Sequence, residues 1–237
     1  MKRLLMKPVG ILAVLLTVFA FNSQAQDLNE AIHLTRSEQY EKADGMFKEL
    51  ITKDPSNGDA YFYRGENYLA DYYSDTISNS LTVVAKEAKD IYQKGVDASP
   101  DDPLNYVGLA KIAFLTGDNK TAEEMRAKAK SFLLPYRNIR RINPPAPRYA
   151  FILAKIAESY IKNDQVDTAA ALPLIRQALT IDNMNRDVNL IAGDIYNLEN
   201  DGSKAIYFYN QAQFADPQSP TTNMKIGAIY VRGRALQ

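Results

Sequence analysis

Between Gly193 and Pro217 the chain sets Gly193, Tyr196, Ala205, Tyr209, Ala212 and Pro217 in an order that starts again further on. Gly227 and Tyr230 repeat the opening pair 34 residues later. A period of that length marks a helix–turn–helix unit that cannot bury its apolar face alone and stacks on copies of itself. This constrains the fold more tightly than composition does: the chain should be all-α and built as a solenoid with no single centre.

Looser copies can be phased upstream. The first reads Ala31, Leu34, Tyr40, Ala43, Phe47, Leu50, Pro55. The second opens at Tyr61, Gly65 and Tyr68 and resumes at Ala88, Tyr92, Gly95 and Pro100. The third carries Tyr106, Leu109, Ala110, Gly117, Ala122 and Ala129, and the fourth Leu153, Ile156, Ala157, Tyr160, Ile175 and Ala178. Small residues 12 apart (Ala31 with Ala43, Ala110 with Ala122, Gly193 with Ala205) fit one close helix–helix contact per unit. Pro55, Pro100 and Pro217 end second helices, because proline lacks the amide hydrogen and clashes with the preceding turn.

This pattern resembles the tetratricopeptide repeat over about residues 27–237. The resemblance implies a right-handed superhelical α-solenoid of about five and a half copies. Units are expected near 27–56, 57–100, 103–135, 149–183 and 186–219, with a half-repeat over 220–237. That half-repeat leaves Gly227 without a second helix, so the solenoid is expected to continue past residue 237 or to be capped by a partner. Spacings between first helices of 45, 47 and 36 residues, in place of 34, place insertions in the second repeat's turn (Asp71–Leu81), around Leu134–Pro147 and near Pro173. Pro173 should distort the start of its helix, and Ala169 and Ala171 are equally eligible as the packing residue there.

Family members mostly bind peptide segments or other proteins on the concave face lined by first helices. Phasing puts Phe62, Glu66, Val107, Lys111, Phe114, Glu158, Leu190 and Asp194 on that face. The positions that chaperone-binding members use to clamp a C-terminal carboxylate hold Ile32, Glu66 and Lys111, so that clamp is absent. Apolar anchors with carboxylates suit a partner segment with spaced hydrophobic residues and some positive charge.

Residues 1–25 read as a signal peptide: Lys2, Arg3 and Lys7, an apolar run from Val9 to Phe21, then small residues before cleavage after Ala25. Its removal turns a net charge of zero into about −3, which argues against nucleic-acid binding. The absence of cysteine excludes a lipidated anchor and suits a bacterial periplasm better than a disulfide-rich secreted setting. The expected location is therefore periplasmic or secreted, with no stable membrane insertion after cleavage.

Catalytic chemistry is hard to build from this chain. His33 is the single histidine, there is no cysteine nucleophile, and serine-elbow and phosphate-loop motifs are missing. No enzyme activity, metal or cofactor is expected. A second candidate surface is the basic run through Arg137, Arg140, Arg141 and Arg148, free of acids between Glu124 and Glu158, which would take an anionic partner. The leading reading is a periplasmic or secreted scaffold that binds other proteins through its concave face. The alternatives are a recognition module for an active domain C-terminal to this chain, or a helical-repeat protein of glycan uptake.

Overall fold

The computed structural model describes residues 26–133, 147–161, 166–217 and 219–235. They form eleven helices and, among the described residues, no strand. α1 covers 26–36, followed by α2 (Tyr40–Lys53), α3 (Gly58–Ser74), α4 (Leu81–Ala98), α5 (Pro103–Leu115) and α6 (Asn119–Ser131). Then come α7 (Pro147–Glu158), α8 (Thr168–Ile181), α9 (Arg186–Leu198), α10 (Gly202–Ala215) and α11 (Pro220–Ala235). Residues 1–25, read above as a signal peptide, and Arg137, Arg140 and Arg141 lie outside the described residues.

Helix starts follow the capping chemistry of the sequence. Asn57, Asp102, Asp118, Asp167, Asn185 and Asp201 each accept a backbone N–H of the turn they open. Pro103 adds its fixed φ at the first position of α5. Three hairpin turns share one further device. Glu38, Gly117 and Asn200 have φ of 60°, 83° and 61°, and each lies seven residues after the small residue of its first helix. The next amide then reaches back to close the turn: Gln39 to Leu34 O, Asp118 to Ala113 O and Asp201 to Tyr196 O, at 2.8–2.9 Å.

The helices pair as α1/α2, α3/α4, α5/α6, α7/α8 and α9/α10, leaving α11 against α10. Apolar faces merge into a continuous core along α3 to α9, with a smaller cluster of Ala31, Ala43, Phe47, Leu50 and Ala60 at the N-terminal end. The close approach at Gly193 involves a different neighbour from the expected Ala205. A Cβ on Gly193 would lie 2.3 Å from the Tyr209 ring. Tyr92 fills the same place between Gly65 and Gly108, at 2.4 and 2.3 Å. Glycine is needed where the facing side chain is a tyrosine. Where the small residue is Ala31, Ala110 or Ala157, the corresponding side chain is Phe47, Arg126 or Ile175.

Two insertions resolve in unexpected ways. Most of the second repeat's extra length is helical: α3 runs on through Tyr72 to Ser74 and has 17 residues, and α4 has 18. In the fourth repeat Ala171 is buried and Ala169 exposed, so Ala171 is the packing residue. Pro173 lies inside α8, which continues past it to Ile181.

Candidate functional site

Glu66, Lys111, Glu158 and Asp194 each come directly after the packed small residue of their helix (Gly65, Ala110, Ala157, Gly193). One residue further turns a helix by about 100°, which carries the next side chain off the helix–helix contact and onto the concave face. Lys111 on α5 lies between two first helices, with Nζ 2.7 Å from Glu66 Oε2 on α3 and 2.5 Å from Glu158 Oε2 on α7. Lys155 completes the cluster, 3.2 Å from Glu66 and 3.0 Å from Glu158. The Tyr92 hydroxyl donates to Glu66 Oε1 at 2.9 Å. The fifth repeat copies this arrangement: the Tyr209 hydroxyl donates to Asp194 Oδ1 at 2.8 Å, and Lys225 of α11 lies 2.6 Å from the same oxygen.

Burial and charge oppose each other here, and charge wins. Burial works to raise the Glu66 carboxyl pKa, but Lys111 and Lys155 hold it below its ordinary value. Burial likewise disfavours the Lys155 ammonium, yet Glu158 and Glu66 raise its pKa well above the usual lysine range. Asp187 is half-buried, which works to raise its carboxyl pKa, and is still held low by Arg36, Lys155 and Arg186.

Of the residues placed on this face by phasing, Glu66, Lys111 and Glu158 are brought together, and Leu190 and Asp194 lie beside them. Phe62, Val107 and Phe114 are buried and present no open anchor. The Phe62 ring is held between Tyr92 and Phe151, with centroids at 6.1 and 6.5 Å, and Phe114 lies under the Arg126 guanidinium at 4.7 Å. Phe114 is thus covered within its own repeat, whereas Phe62 is closed over by a tight curl. Phe151 of the fourth repeat reaches Tyr63 of the second at 6.2 Å, and Arg36 of α1 pairs with Asp187 of α9 at 3.0 Å. The concave face is therefore narrow. What remains open is a cavity of about 320 Å³ walled by Leu69, Tyr73, Leu115, Leu190, Asp194 and Lys225, adjoining one of about 170 Å³ beside Tyr63, Phe151 and Asp187.

The basic run does not form one surface among the described residues. Arg148 pairs with Asp59 at 2.8 Å and with Asp102. Arg126 is buried, bonded to Ser159 and Glu123, with its guanidinium 3.8 Å from the Tyr160 ring centroid. Lys155 belongs to the concave cluster. Sequence phasing missed Lys155, Tyr63, Phe151, Asp187 and Lys225. The usable signal was local: a glycine followed by an acid, with a tyrosine at the facing position of the second helix, occurs at Gly65–Glu66 with Tyr92 and at Gly193–Asp194 with Tyr209. No three carboxylate or imidazole groups among the described residues stand close enough to hold a metal ion.

A stack of two-helix units with a charged inner face is the architecture of a helical-repeat solenoid. Residues 155–220 match the tetratricopeptide-repeat family model. Among solved structures, the thermophilic tetratricopeptide protein TTC0263 of Thermus thermophilus is 16% identical with a TM-score of 0.55, covering 88% of this chain and 99% of that one. A tetratricopeptide protein from Parabacteroides merdae is 15% identical with a TM-score of 0.55, covering 86% and 70%. Human IFIT1, solved as a dimer with PPP-AAAA, is 16% identical with a TM-score of 0.60, covering 89% of this chain and 46% of its own. No curated protein matches this chain in sequence. At these identities the structural likenesses establish the fold.

Proposed function

We propose that this chain is an exported, non-catalytic scaffold that binds a segment of another protein on its concave face, with one apolar side chain of the partner seated in the 320 Å³ cavity. The observation that carries this reading is the cavity itself. It is walled by first helices from four repeats and by α11, and apolar side chains alternate there with charged groups. Glu66, Glu158, Asp187 and Asp194 each have a cation within 3.0 Å, or 3.2 Å where Lys155 serves as a second partner. The groove therefore does not call for a basic partner, and shape and apolar contact set the preference. No helix among the described residues is long and apolar enough to cross a membrane, which suits an exported protein released after Ala25.

The test begins with affinity capture from envelope extract using the mature protein, followed by titration of the recovered partner. Leu190→Trp fills the cavity from its wall and should weaken binding at least tenfold from a micromolar parent, about −8 kcal/mol. Unchanged affinity in Leu190→Trp, with loss in Arg140→Glu/Arg141→Glu, would move the contact to the basic segment.

A further inference from the structure

The second repeat's added length builds a second groove, which meets the concave cavity at Leu115. α4 has 18 residues, against 13 or 14 in the second helices α2, α6, α8 and α10. It packs against α5, which ends at Leu115, and its first turn carries on over the turn that follows. Leu81, Thr82 and Ala85 thus share a cavity of about 660 Å³ with Thr116, Asp118 and Thr121. Its floor is apolar: Leu109, Ile112 and Ala113 of α5, with Met125 of α6 closing one side.

Size and charge narrow the occupant. From Thr82 to Gln93 the wall made by α4 is about 16 Å long at 1.5 Å per residue. That length accommodates an extended alkyl chain lying along α4. Lys86 and Lys89 line the α4 side, are solvent-exposed, and have no ion-pair partner among the described residues. Asp118 is the one carboxylate on the wall, and its oxygen already caps α6 by accepting the Thr121 amide. The cavity volume falls in the range of small-molecule sites, where an apolar lining holds the ligand body and a few polar groups orient it.

We propose that this groove binds a small amphipathic anion, a linear alkyl carboxylate, with its chain on Leu109, Ile112, Ala113 and Met125 and its head against Lys86 and Lys89. The proposal stands whether or not the concave face binds a protein, although Leu115 lines both cavities.

Dodecanoate is the probe, titrated calorimetrically into the full chain below its micellar range, with dodecyltrimethylammonium as the same chain bearing the opposite charge. The expected result is saturable one-to-one binding, at least tenfold tighter for dodecanoate. Thr82→Trp fills the groove from its exposed rim and Lys86→Glu/Lys89→Glu reverses its charge. Each should cost at least tenfold in dodecanoate affinity, and unchanged melting temperatures will show that both variants remain folded. Absence of saturable binding, equal affinity for both detergents, or binding that survives both variants would overturn the proposal.

Discussion

At the scale of single residues, burial decides which ion pairs matter. The Lys111 side chain is 5% exposed and neutralises two carboxylates, whereas Arg148 is 49% exposed at the rim of the stack. Removing one member of a buried cluster strands the others in low dielectric, at a typical cost of about 3–5 kcal/mol, while exposed pairs contribute about 0–1. Lys111→Met should therefore lose about 3 kcal/mol in urea denaturation, and Arg148→Met under about 1. Equal losses would mean that the concave cluster is solvated. The same cluster sets a pH profile. Glu66 titrates below its ordinary 4.5 in the folded chain, so its stabilisation is present above that pH and is lost as pH falls through the folded value. Lys155 is raised above its ordinary 10.5, so its stabilisation is full below that pH and is lost as pH rises beyond it. Stability measured against pH should show a plateau between these limits, and Lys155→Met should lower that plateau while flattening the fall on its alkaline side.

At the scale of helices, the glycines separate into two kinds. Gly193 faces a Tyr209 ring pinned through its hydroxyl to Asp194, whereas a Cβ on Gly227 meets nothing within 4 Å. Gly193→Ala should destabilise by about 1–3 kcal/mol despite a helix-propensity gain of up to about 1. Gly227→Ala should be neutral or stabilising by up to about 1 kcal/mol. Chemical denaturation of both variants decides whether the tyrosine contact, rather than glycine itself, sets the requirement. Spacing alone named Ala205 as the neighbour of Gly193. Small–small spacing reports where two helix axes approach, and it does not tell which large side chain crosses between them.

Across the whole molecule, contacts reach beyond nearest neighbours. A linear array unfolds in pieces because each unit touches only the next. Here Arg36–Asp187 joins the first repeat to the fifth, and Tyr63–Phe151 joins the second to the fourth. Arg36→Ala/Phe151→Ala should loosen the curl, raising the radius of gyration in solution scattering and letting α1 and α2 exchange amide hydrogen faster than α5. A variant that scatters like the parent, with uniform protection, would show that nearest-neighbour packing alone sets the curvature.

The sequence by itself determined the two-helix unit, its phase and the charged residues Glu66, Lys111, Glu158 and Asp194 that follow four of the small ones, because these depend on contacts within one period. It also located the added length of the second repeat, though not that this length would become helix. Only the tertiary structure decided the curl, and with it the closing of Phe151 over Phe62, the pairing of Lys155 within the groove and the capture of Arg148 by Asp59 and Asp102. Curvature is the sum of small rotations between units, and each rotation is set by the side chains that cross between helices. A repeat pattern records that such side chains exist, while their summed angle is fixed only when all the units pack together.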